Sequence, residues 1–219
     1  SSDLYLINPA RPALFVAGQL YTDGELGRLA GGMACVLLAA GHDRVERVGI
    51  LASRSPEAMA GILAAAWAGA TFVPLNPKYP EDRLLAILKQ SRLDALILDE
   101  GGMRALTDRV LGLAPKLLLG PRLEERFLAT GARLIGRQTF AGAHAIPSPV
   151  QSAGDAIAYI LFTSGTTGVP KGVMVTNGNV SHFLQVSQSR YRISPDDRLS
   201  QQSEITFDHI VFEIGRAHV

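Results

Sequence analysis

Residues Thr163-Ser164-Gly165-Thr166-Thr167-Gly168-Val169-Pro170-Lys171-Gly172 place three glycines, three threonines, one serine and one lysine within ten positions. That mixture suits the holding of phosphate oxygens. Glycines at 165, 168 and 172 let backbone N–H groups come close to an oxyanion. The hydroxyls of Thr163, Ser164, Thr166 and Thr167 can donate to the same oxygens, and Lys171 brings a mobile positive charge. Pro170 limits how far the loop wanders before Lys171. Two widespread nucleotide loops do not fit. The kinase and ATPase loop needs Gly-Lys-Ser/Thr, whereas here Pro170 precedes Lys171 and Gly172 follows it. The dinucleotide Gly-x-Gly-x-x-Gly loop fails because Thr163 stands two residues before Gly165. A solvated surface loop is the competing account that composition alone leaves open.

Other residues with chemical potential carry less. Cys35 is the only cysteine, so no internal disulfide can form. It reads best as a small buried side chain. A reducing compartment fits, and a cytoplasmic location is the expectation. His182 and His209 have no visible partner in sequence and read as surface or packed histidines. No clear set of metal ligands stands out.

The elements that must position the loop follow from apolar periodicity. A strand over Ala156–Phe162 runs straight into it, and Thr176-Asn177-Gly178 precedes a helix over Asn179–Gln188. A further strand is expected over Arg198–Phe207. Upstream, Ala13–Val16 and Gln19–Tyr21 flank Ala17-Gly18 as a hairpin. Thr22 or Asp23 caps a helix over Glu25–Ala40, which Gly41 closes. Val48–Ala52, Thr71–Leu75, Ala95–Leu98 and Lys116–Leu119 are apolar strands. Between them, Ser55-Pro56-Glu57 opens a helix ended by Gly69, and Pro80-Glu81-Asp82 opens another. Apolar strands alternating with helices predict an α/β fold: layered, mostly parallel sheets with helices on both faces.

Composition excludes several classes. The chain has 219 residues, with 21 Lys and Arg against 20 Asp and Glu, a formal net charge of +1. Nothing suggests nucleic acid or an acidic membrane surface as partner. The uncharged run from Ala58 to Pro77 is long enough to raise the question of a membrane span. Gly61, Gly69, Pro74, Asn76 and Pro77 answer it, since a spanning helix should still be regular there. A buried helix followed by a buried strand explains the run. No signal-peptide pattern opens the chain.

Read as a whole, Tyr159–Val173 resembles the signature of the adenylate-forming superfamily. That group holds acyl- and aryl-CoA ligases, luciferases and the adenylation domains of nonribosomal peptide synthetases. Trp67-Ala68-Gly69-Ala70-Thr71-Phe72-Val73-Pro74-Leu75-Asn76-Pro77-Lys78-Tyr79-Pro80 is similar to the peptide-synthetase version of an upstream block, and Leu20–Leu26 to the family's first motif. The resemblance implies a two-step ligase using ATP and Mg2+. A carboxylate attacks the α-phosphorus, pyrophosphate leaves, and a thiol on CoA or a phosphopantetheine carrier protein takes the acyl group. Lys171 would serve catalysis, and Thr163, Ser164, Gly165, Thr166, Thr167, Gly168, Lys171 and Gly172 would hold the nucleotide. Phe207-Asp208-His209-Ile210-Val211-Phe212-Glu213 resembles the next motif, with Ile210 where the family has Ser. In amino-acid-activating members its Asp binds the α-ammonium group, so Asp208 would bind an amino-acid substrate. Its plainer role is to cap a helix. A fatty-acyl or aryl-CoA ligase and an inactive nucleotide-binding fragment are the alternatives.

The expected organisation is a first α/β unit over 1–140, a connection over 141–154 rich in Ala, Gly, Pro and Ser, and the start of a second α/β unit over 155–213. Residues 214–219 depart from the family. Ile214-Gly215-Arg216-Ala217-His218-Val219 can be encoded by ATC GGA AGA GCA CAC GTC, a sequencing-adapter read. A non-native tail, and a chain inactive by itself, are the expectations.

Overall fold

The computed structural model describes residues 8–40, 45–141, 148–163, 169–192, 194, 197–200 and 203–206. Strands β1 (Pro12–Val16) and β2 (Gln19–Thr22) form the expected hairpin. Ala17 and Gly18 both take positive φ, at 50° and 77°. That is the twist a tight hairpin turn requires. Helix α1 (Asp23–Leu38) follows at once. Thr22 caps it, its hydroxyl accepting from the Glu25 N–H at 3.2 Å while the Glu25 carboxylate accepts from the Thr22 N–H at 2.8 Å. Such a reciprocal cap is worth about 1 kcal/mol.

The remaining strands build one eight-stranded sheet. They are β3 (Arg47–Leu51), β4 (Thr71–Leu75), β5 (Ala95–Leu98), β6 (Leu117–Leu119), β7 (Arg126–Phe127), β8 (Arg133–Ile135), β9 (Ile157–Thr163) and β10 (Lys171–Thr176), in the order β10-β9-β4-β3-β5-β6-β8-β7. The six inner strands are parallel, and β10 and β7 run antiparallel at the two edges. Helix α2 (Pro56–Trp67) joins β3 to β4, with Ser55 capping it and Pro56 in its first turn. Gly69 then turns the chain with φ of 67°. Helix α3 (Glu81–Ser91) returns the chain from β4 to β5, and α4 (Glu100–Ala105) with α5 (Asp108–Leu111) leads from β5 to β6. Short α6 (Arg137–Phe140) follows β8, and α7 (Asn177–Tyr191) follows β10.

Alternate residues of each strand feed two separate apolar layers. Ile50, Phe72, Ile97, Leu119 and Tyr159 pack with α1 and α2. Leu51, Val73, Leu96, Leu98, Leu118 and Phe162 pack with α3 and with Val110 and Leu111 of α5. Each buried Leu or Ile contributes about 1.5–3 kcal/mol, so both faces of the sheet hold helices firmly. The layered α/β architecture expected from sequence is thus observed.

Several local expectations are corrected. Residues 198–200 and 203–206 contain no strand. Instead, among these described residues, Ile205 alone reaches the core, from a turn. Lys171 and Gly172 belong to a strand, not to the loop, because they pair with Thr163 and Phe162. Helix α7 starts two residues earlier than expected, with Thr176 as its cap. Strands β7 and β8 and helices α4, α5 and α6 were not expected at all. Gly41 lies outside the described residues. Strands β9 and β10 come after the Ala/Gly/Pro/Ser-rich connection yet extend the same sheet as β3–β8.

Candidate functional site

The Gly/Thr loop joins the two strands of an antiparallel hairpin. Strand β9 docks on β4 through the pair Phe72↔Tyr159, whose rings lie 5.3 Å apart, and through the Thr71 hydroxyl, which donates to the Ile157 carbonyl at 2.8 Å. Among the described residues, strand β10 pairs only with β9. Its first residue, Lys171, stands opposite the last residue of β9, Thr163, whose hydroxyl donates to the Lys171 carbonyl at 3.5 Å. The two feet of the loop are therefore side by side.

Strand alternation decides where these side chains point. Thr163 and Lys171 share the sheet face that carries Tyr159, Leu161, Val173 and Val175. Phe162 and Ile160 project from the other face. Thr163 and Lys171 are both exposed. Among the described residues, Lys171 makes no ion pair. A hydroxyl and an uncommitted ammonium group thus flank the loop on one side, which fits a phosphate chain. Ser164, Gly165, Thr166, Thr167, Gly168 and Asp208 lie outside the described residues.

In many nucleotide folds a strand–loop–helix turn aims a helix N-terminus at the phosphates. Here the helix comes one strand later. Six residues of β10 separate the loop from α7, roughly 20 Å at the rise of a strand. The first N–H groups of α7 are also taken. Asn177 donates to the Ala156 carbonyl at 2.9 Å, and Gly178 to Gly154 at 2.7 Å. The Asn179 N–H donates to the Thr176 hydroxyl at 3.2 Å. The macrodipole of α7 does not serve the loop. Among the described residues, Lys171 brings a positive charge to the foot of the loop.

A second polar cluster sits where β3 and β5 end. The connections from these neighbouring strands leave toward opposite faces of the sheet, and open α/β sheets commonly bind ligands at such a place. In this chain a buried carboxylate is hydrogen-bonded there. The buried Asp99 carboxylate accepts from the Ser53 N–H at 2.8 Å, the Ser53 hydroxyl at 2.9 Å and the Gly102 N–H at 2.7 Å. Nearby, Arg122 pairs with the buried Glu57 at 2.9 Å and also donates to the Tyr21 hydroxyl. Burial pushes the Glu57 carboxyl above its ordinary range, opposed by its own backbone N–H, by Arg122 and by Ser55. Sequence reasoning missed this cluster. The one available signal was an acid and a capping Ser at the start of α2.

An apolar cleft of about 180 Å³ lies between α2, β4, β9 and α7, lined by Ile62, Leu63, Phe72, Tyr159, Val180 and Leu184 among others. Among the described residues no group of three His, Cys, Asp or Glu could hold a metal ion. No helix among them is long and apolar enough to cross a membrane.

An open α/β sheet thus carries a hydroxyl-rich hairpin loop with one lysine at its foot, a layout distinct from the strand–loop–helix kind. Comparison with known proteins gives the family of the chain. Residues 7–215 match the family described as AMP-binding enzyme, and the chain belongs to that family of adenylate-forming ligases. It is 33% identical over 204 residues to tyrocidine synthase 3 of Brevibacillus parabrevis, covering 93% of this chain and 3% of that protein. Among solved structures, that of IdnL7 superposes with a TM-score of 0.83 at 32% identity, covering 98% of this chain and 42% of that one. An ATP-bound RpMatB-BxBclM chimera superposes with a TM-score of 0.75 at 25% identity, covering 98% of this chain and 42% of the chimera. The chain thus spans less than half the length of each of these relatives.

Proposed function

We propose that the protein activates a carboxylic acid, an amino acid, as its acyl-adenylate at the expense of ATP. In this reaction a carboxylate oxygen attacks the α-phosphorus. The bond from that phosphorus to the bridging oxygen breaks, and pyrophosphate leaves with the electron pair. No protein nucleophile is needed, so catalysis is positioning and electrostatic stabilisation. The observation that carries this reading is the placement of Thr163 and Lys171, exposed on one face at both feet of the loop. In the proposed site Lys171 offsets the charge gathering on the departing phosphates. Thr163, Ser164, Thr166 and Thr167 donate hydroxyl hydrogen bonds to them, Gly165 and Gly168 let loop amides approach, and Gly172 lies beside them in β10.

Mg2+ would accompany the nucleotide and neutralise its phosphates; no described cluster is assigned to it. Asp208 is proposed as the partner of the substrate's α-ammonium group, a charge-assisted contact. The likeness to tyrocidine synthase 3 and the motif resemblance around Asp208 support an amino acid over a fatty or aryl acid. Transfer to the thiol of a phosphopantetheine carrier protein or of CoA would complete the sequence. A cytoplasmic setting, where Cys35 stays reduced, goes with this reading.

The test is isotope exchange between pyrophosphate and ATP, run on the protein carrying this sequence with a panel of amino, fatty and aryl acids. Exchange that depends on an amino acid is the expected result. Exchange with fatty or aryl acids alone would move the protein to the CoA-ligase group, and none with any acid would overturn the reading.

A further inference from the structure

Gly172 does not need to be glycine for backbone reasons. It lies in extended β10, and it is not among the described glycines with positive φ. Its constraint comes from across the hairpin. A Cβ at 172 would stand 3.0 Å from Cγ2 of Ile160 and 3.3 Å from two ring carbons of Phe162. Phe162 is the direct cross-strand partner of Gly172, so its ring lies on the bare backbone of β10. The ring has little room to yield. Phe162 and Ile160 are both buried in the apolar layer with Val73, Leu75, Leu85 and Leu88. A small shift of Phe162 to admit a methyl group would press on that layer, or would lift β10 away from β9.

We infer that Phe162 and Gly172 form a cross-strand clamp that sets the position of Lys171 and Thr163, and that Gly172 is a positioning residue rather than a phosphate contact. Edge glycines in sheets are known to be covered by a facing aromatic ring in this manner. Among the described strands β10 is the edge, and its Met174 is 65% exposed, so it is otherwise weakly held. The clamp acts at the end of the strand that matters. Lys171 is the next residue, and it pairs with Thr163, the residue after Phe162. The two pairs project from opposite faces, so the ring fixes the backbone from one side while the ammonium and hydroxyl groups stand exposed on the other. A displacement of about 1 Å at such a site can cost two orders of magnitude in rate.

The inference rests on reading the loop as the site of adenylate formation, and one mutant cycle tests both separately. Gly172→Ala, Phe162→Leu and the double variant are compared with the wild type by pyrophosphate exchange and by thermal unfolding. Gly172→Ala is expected to slow exchange by about ten-fold or more, raising KM for ATP and leaving KM for the acid unchanged. Phe162→Leu opens space over residue 172. The double variant is therefore expected within about three-fold of Phe162→Leu alone, because the two changes are coupled. If the double variant instead loses the product of both single effects, the glycine serves close approach to phosphate and the clamp is overturned. If Gly172→Ala does not fold alone, recovery of folding in the double variant supports the clamp, and failure to recover it overturns it. If the wild type shows no exchange with any acid, the functional reading fails. The clamp is then judged by unfolding midpoints, where coupled shifts support it and additive shifts overturn it.

Discussion

Replacing Lys171 by Ala should separate catalysis from stability. Lys171 is exposed at the start of an edge strand, and among the described residues its ammonium group makes no ion pair. The strand's own register depends on Gly172, Val173, Met174 and Val175 pairing with β9, and the variant keeps all of these. Folding stability should therefore change by no more than about 0.5 kcal/mol, as for other surface substitutions. The effect on the reaction should be far larger. In the proposed reaction charge builds on the leaving pyrophosphate, and α7, the helix that follows the hairpin, does not turn its terminus to the loop. Losing one preorganised positive contact there is worth about 2–4 kcal/mol, or roughly 30- to 900-fold in rate. Because that charge develops during the reaction, kcat should fall more than KM for ATP rises. Single-turnover formation of the adenylate and pyrophosphate exchange would read the rate, and urea unfolding the stability. Lys171→Arg should recover only part of the rate, since a planar fork replaces a point charge. Equal rates in wild type and Lys171→Ala would refute the reasoning. So would a rate loss matched by an equal loss of stability.

Three further outcomes are expected. Asp208→Ala should penalise amino acids far more than their des-amino analogues in pyrophosphate exchange; equal losses would make Asp208 structural. Arg122→Ala removes the partner of Glu57, whose folded pKa is already raised by burial, and so should raise it further. A raised folded pKa means that stability present below the unfolded value is lost as pH rises through the folded one. Urea unfolding should thus show a deficit that is small near about pH 4.5 and grows to about 1–3 kcal/mol near pH 7.5, less than for a fully buried pair because the Arg122 side chain is 49% exposed. Gly102→Ala would place a Cβ 1.8 Å from the Leu51 carbonyl oxygen, a backbone atom that cannot swing aside. It should cost about 3 kcal/mol in urea unfolding, whereas Gly154→Ala, with nothing within 4 Å, should stay within about 0.5 kcal/mol.

What was legible in the sequence follows from how each element is buried. Val48–Ala52, Thr71–Leu75 and Ala95–Leu98 read as strands because parallel strands covered on both faces are apolar at nearly every position. Ser55 and Thr22 marked helix starts because a hydroxyl there meets an otherwise unsatisfied N–H. The edges of the sheet escaped for the opposite reason. Arg126–Phe127 is two exposed residues, and Lys171–Thr176 buries no face fully, so neither carries an apolar period. The strand expected over Arg198–Phe207 is missing from residues 198–200 and 203–206, because one buried residue, Ile205, in a polar stretch anchors a turn. The Arg122–Tyr21 contact joins residues 101 positions apart, a distance no local pattern reports.

The proposed phosphate loop combines both cases. Its residue types announce phosphate chemistry in the linear sequence, yet the working geometry depends on the register of β10. A slip by one residue would turn Lys171 toward the Phe162 face, away from Thr163. The residues that prevent the slip are not the ones that would touch phosphate. They are an aromatic ring buried on the far side of the sheet and a glycine that leaves room for it. The same string Pro-Lys-Gly without an aromatic partner across the hairpin would keep the charge but lose the clamp that aims it. For this chain, then, the Phe at 162 belongs to the site as much as the Lys at 171 does, although only the second has a group that could meet ATP.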